Sequence, residues 1–96
     1  MDPALTDIII SDVVVSTAGH DQGKLFYVIG TDPVYLTLAN GKDRTLDKPK
    51  RKKRKHVQKV LRSETRVAEK LRHGDKVLNG ELRRDLAFLA RETTSE

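Results

Sequence analysis

The fifteen residues from Lys48 to Arg62, KPKRKKRKHVQKVLR, hold nine Lys or Arg side chains and no carboxylate. Clustered ammonium and guanidinium groups neutralise phosphates and release the counterions condensed on a polyanion. The other residues carry ten basic and fourteen acidic side chains, so the whole +5 net charge comes from this one segment. Nucleic acid is the ligand class that such a distribution fits. Seven of the nine, Lys48, Lys50, Arg51, Lys52, Lys53, Arg54 and Lys55, repel one another by roughly tenths of a kcal/mol per close pair. That cost favours a compensating anion over a solvated loop with no partner, although the same run could serve as a nuclear localisation signal in a cell with a nucleus.

Other reactive residue types are sparse. His20, His56 and His73 stand alone, without a second ligand at metal spacing, so no metal site is expected. The chain has no cysteine, which excludes disulfides, thiolate metal sites and cysteine nucleophiles and suits a reducing interior. The acids are scattered, and no Ser-His-Asp or paired-carboxylate arrangement can be read from them. Gly19 and Gly23 resemble a phosphate-binding loop only superficially, because three residues separate them and Leu25 follows Lys24 where a metal-holding Ser or Thr would be needed. Nothing in the sequence argues for an enzyme, a cofactor or a small-molecule substrate.

The elements that must position the basic run read as short strands: Asp12–Ser16, Leu25–Ile29, Val34–Ala39, a run through Arg44, Thr45 and Leu46, and His56–Leu61. Gly19 and Gly23 bracket the first loop, Thr31-Asp32-Pro33 the second, and Asn40-Gly41 can supply the two positive-φ positions of a tight hairpin turn. Five strands without intervening helices predict a small curled barrel. After Arg62 the periodicity becomes helical. Leu82, Leu86 and Leu89 recur at i, i+4 and i+7 with Asn79 as N-cap, and Glu64–Arg72 forms a shorter helix stopped by Gly74. The tail Glu92–Glu96 is expected to fray. In 96 residues with four aromatics the core must be compact, and base-stacking platforms are few. Met-Asp-Pro-Ala lacks the basic start of a secretion signal and no apolar run is long enough to span a bilayer, so a cytoplasmic protein with no membrane association is expected.

The segment Val13-Val14-Val15-Ser16-Thr17-Ala18-Gly19-His20-Asp21-Gln22-Gly23-Lys24 resembles the KOW motif of RNA-binding SH3-like barrels. The continuation through Phe26-Tyr27-Val28-Ile29-Gly30, Tyr35-Leu36-Thr37-Leu38-Ala39-Asn40-Gly41, Leu46-Asp47-Lys48-Pro49-Lys50 and Lys55-His56-Val57 is similar to bacterial KOW-domain proteins related to archaeal and eukaryotic large-subunit ribosomal proteins. The resemblance covers about residues 8–62. It implies an SH3-like barrel, RNA as ligand and a connection with ribosomes or translation. Gly19, His20 and Gly23 would form the motif loop, in which Lys24 is the one fixed positive charge. Thr17, His20 and Gln22 stand where relatives often carry basic residues, and Ser11 stands where glycine is common.

The expectation is therefore a mainly β protein, with a five-stranded SH3-like barrel over residues 1–62 and a helical extension over residues 63–96. It would bind structured RNA, ribosomal RNA above all, through phosphate contacts from Lys24, Lys48, Lys50, Arg51, Lys52, Lys53, Arg54 and Lys55. A rival reading is a protein-interaction module that engages a transcription or translation factor through the barrel or the Leu82–Leu89 face.

Overall fold

In a computed structural model of the protein, which describes residues 7–94, five strands form one antiparallel sheet. They are β1 (Asp12–Ser16), β2 (Leu25–Thr31), β3 (Tyr35–Ala39), β4 (Lys50–Lys53) and β5 (Val57–Arg62), followed by helices α1 (Arg66–His73) and α2 (Asn79–Thr94). The order across the sheet is β4-β3-β2-β1-β5, and β4 and β5 are its two edges, so the sheet is open. One turn of 3-10 helix, Arg54–His56, joins those edges. Among the described residues no helix is long and apolar enough to cross a membrane.

Strand alternation sorts the apolar side chains onto two faces. Val13, Tyr27 and Ala39 point to one, where Val67 and Ala68 of α1 and Leu82, Leu86 and Leu89 of α2 cover them. Val14, Phe26, Val28, Leu36 and Leu38 point to the other and are fully buried there, with Ile8 and Val57 beside them. Irregular register between Val13 and Val14 against β5, and between Val28 and Gly30 against β3, adds the twist that bulges bring and curls the sheet over this second cluster. Burying each such side chain stabilises by roughly 1.5–3 kcal/mol, so both faces contribute to the fold.

The helices belong to that core. The composition changes at residue 62, but no break between cores coincides with it, since Val13, Tyr27 and Ala39 are covered by residues beyond it. The stripe Leu82, Leu86 and Leu89 is buried in the cluster that covers the sheet. A polar knot fastens the layers. The Tyr27 hydroxyl donates its one proton to the Asp85 carboxylate and lies 2.9 Å from the Ser63 hydroxyl, and Thr65 Oγ1 donates to the same carboxylate at 2.8 Å. Burial and the Asp85 carboxylate push the Tyr27 phenol up to about 12. Asp12, fully buried, is neutralised by Arg62 Nε at 3.0 Å and Lys59 Nζ at 3.3 Å. Ser11 has φ +78, a conformation glycine adopts without steric cost, and its Oγ accepts a 2.8 Å hydrogen bond from Arg72.

Several local expectations are corrected. The fourth strand is the basic run itself, Lys50–Lys53, and Arg44-Thr45-Leu46 lies in a long loop between β3 and β4. Asn40-Gly41 is not a two-residue hairpin turn, because only Gly41 has a positive φ. Asn40 Oδ1 instead accepts from the backbone of Lys42 and Arg44 and winds that loop. Asn79 is not the N-cap of α2. Its Oδ1 accepts from Leu46 N at 2.8 Å, and the helix is closed by Glu81 reaching back to Leu78 N at 3.1 Å, one half of a capping box. The shorter helix is capped by Thr65, which accepts from Ala68 N, and stopped by left-handed Gly74 as expected. α2 continues to Thr94, where fraying was expected from Glu92; Ser95, Glu96 and the Met-Asp-Pro-Ala start lie outside the described residues.

Candidate nucleic-acid interface

An edge strand made entirely of cations, KRKK, is sustained by register. Leu36 faces Lys52 and Leu38 faces Lys50, so these two lysines point to the concave face, whereas Arg51 and Lys53 face Thr37 and Tyr35 on the other. Lys52 consequently lies inside. It is only 9% exposed, and its Nζ donates to the Ala18 carbonyl at 2.6 Å, tying the β4 edge to the loop after β1. An inward-pointing charge of this kind also protects an edge strand from unwanted pairing. Lys52 Nζ is thus engaged within the protein, whereas Lys50, on the same face at the start of the strand, is half-buried.

Arg51 and Arg54 are partly committed to the β2–β3 turn. The Arg51 guanidinium sits 4.1 Å above the Tyr35 ring and contacts Asp32 at 3.0 Å, while Arg54 Nε donates to the Asp32 carbonyl at 2.8 Å. Hydrogen bonds from Tyr35 N, Arg51 and Val34 N hold the Asp32 carboxyl down to about 2. Each guanidinium has five donors, so further donors of Arg51, an exposed residue, remain for a ligand. Among the described residues the side chains of Lys48, Lys50, Lys53 and Lys55 make no hydrogen bond or ion pair. Lys48, Lys53 and Lys55 are exposed and Lys50 is half-buried.

The motif loop is a constrained turn. Gly19 and Gly23 have φ +80 and +88, and Gly23 N and Lys24 O bond back to Ser16. His20 is exposed at its tip; Asp21 is buried and pairs with Arg44 at 3.3 Å. Lys24 contacts Asp43 at 2.7 Å on the rim of a cleft beside α2. That cleft, about 320 Å³, also takes in Lys42 and Arg83, two cations the charge run did not single out. Arg83 and the half-exposed Phe88 lie off the leucine stripe of α2, which is the pattern that could have marked them in the sequence.

No protein-family model matches the chain, and a search of curated proteins finds no match for it.

Proposed function

We propose that this protein is a non-catalytic RNA-binding protein whose affinity comes from phosphate contacts by the lysines along and beside β4. One observation carries the reading: within the densest charge run, the side chains of Lys48, Lys50, Lys53 and Lys55 make no hydrogen bond or ion pair among the described residues, while the cations around them are tied to carboxylates or carbonyls. Unpaired like charges held on one edge strand are stabilised when a polyanion replaces their mutual repulsion. A structured RNA suits this surface, since backbone contacts read shape and the chain has few aromatics for unpaired bases.

The resemblance to KOW-domain proteins narrows the ligand to ribosomal RNA, in the cytoplasm, and the fold to an SH3-like barrel short of closure. The return of β5 to pair with β1 and the buried concave cluster, which contains no residue of α1 or α2, support the barrel reading. Replacing Lys48, Lys50, Lys53 and Lys55 together with Gln tests the function by fluorescence anisotropy against an RNA hairpin. Affinity is expected to fall at least about a hundredfold at low salt with the melting temperature retained. Unchanged affinity in a folded variant would remove β4 from the interface.

A further inference from the structure

The cleft beside α2 has an apolar wall and a cationic rim. Leu25, Leu86 and Ala87 line it, and Lys24, Lys42 and Arg83 stand around it with Asp43 as the single acid. Its geometry is fixed by backbone. Asn40 Oδ1 holds the Lys42 and Arg44 amides at 2.9 and 3.0 Å, and Gly41 packs so closely on α2 that an added Cβ would lie 2.2 Å from Asn79 O. The volume, about 320 Å³, lies at the small end of the roughly 300–1,000 Å³ that small-ligand clefts span. An apolar wall beside a cationic rim is the lining that a base with its phosphate needs.

We propose that this cleft receives a single unpaired nucleotide of the bound RNA, with the base against Leu86 and Ala87 and its phosphate between Lys24, Lys42 and Arg83. The inference rests on the RNA-binding reading and adds a preference for bulged or looped RNA that phosphate contacts on β4 do not provide. Continuity supports it. The loop whose Ala18 carbonyl anchors Lys52, and with it the β4 edge, runs on to Lys24 at the cleft, so one short segment links the strand to the cleft. Charge complementarity supports it as well, with three cations against one carboxylate, and Lys42 has no ion-pair partner among the described residues. Asp43 holds Lys24 at 2.7 Å in an exposed pair that a phosphate would have to displace.

Two RNA hairpins that differ by one bulged nucleotide, carrying 2-aminopurine at the bulge, test this with the full chain. The bulged RNA is expected to bind about fivefold more tightly and its 2-aminopurine emission to change on binding. Ala87→Gln, an uncharged substitution at an exposed helical position, should abolish that preference while changing affinity for the perfect hairpin by less than about twofold. Asp43→Asn should strengthen binding of the bulged RNA more than of the perfect one. Equal affinity for both hairpins, or a preference unaffected by Ala87→Gln, would overturn the cleft assignment and leave the RNA-binding reading standing. Failure of both hairpins to bind would overturn both.

Discussion

Lys52 and Lys53 are adjacent and chemically identical, yet strand alternation gives them opposite tasks. Lys52 is buried and spans from β4 to the Ala18 carbonyl; Lys53 is exposed, and its side chain makes no hydrogen bond or ion pair among the described residues. Lys52→Met keeps the stem and removes the charged donor, and is expected to cost about 1–2 kcal/mol in urea unfolding while changing RNA affinity little. Lys53→Met should do the reverse, weakening RNA binding with no loss of stability. Identical effects of the two on both readouts would contradict the assignment. Tyr27 supplies a second residue-scale test. Its folded pKa, about 12, lies above the value of about 10 for an unfolded tyrosine, so the unfolded chain loses the proton first as pH rises. The hydroxyl's contribution is therefore fully present below pH about 10 and declines as pH rises towards about 12. Urea midpoints for the parent and for Tyr27→Phe should converge over that window, and parallel curves would show that the phenol is not perturbed.

At the scale of elements, the loop between β3 and β4 depends on Gly41 for closeness as much as for backbone freedom. Gly41 has φ +77 and leaves no room for a Cβ against Asn79 O, whereas Gly23 has φ +88 and open space around it. Gly41→Ala should therefore lower the melting temperature well beyond Gly23→Ala, which carries only the backbone cost of about 1–2 kcal/mol. Comparable melting temperatures would mean that the loop does not seat on α2. Asn40-Gly41 also shows where the sequence could be read and where it could not. The short β-branched apolar runs of β1, β2 and β3 and the i, i+4, i+7 leucines of α2 were legible because burial on both sheet faces favours such runs and burial of one helix face imposes that period. The β3–β4 loop was not, because Asn40 caps a local turn over Lys42 and Arg44 in place of a hairpin, and Asn79 is spent on the backbone of Leu46, 33 residues away, a contact that local turn chemistry does not encode. For the same reason the charge run disclosed the lysines of the interface but not the loss of Lys52 to the interior, since KRKK carries no apolar alternation to set its phase.

For the whole molecule, the layer of helices decides whether the sheet survives alone. Val13 and Tyr27 are fully buried beneath Val67, Ala68, Leu82, Leu86 and Leu89, and Tyr27 bonds to Ser63, Thr65 and Asp85. A chain ending at Arg62 would uncover that face and strip three partners from a buried phenol, so it is expected to lose cooperative thermal unfolding by circular dichroism. A cooperative transition near that of the full chain would show that the concave cluster suffices. The electrostatic reading concerns the molecule's field as a whole, and its most direct measurement is the dependence of RNA affinity on salt. Four phosphate contacts from Lys48, Lys50, Lys53 and Lys55 should give a slope of log affinity against log salt of about −3 to −4. Replacing those four lysines with Gln should flatten it to between about −1 and zero. A slope near zero in the intact protein, or an unchanged slope in the variant, would contradict phosphate recognition by β4.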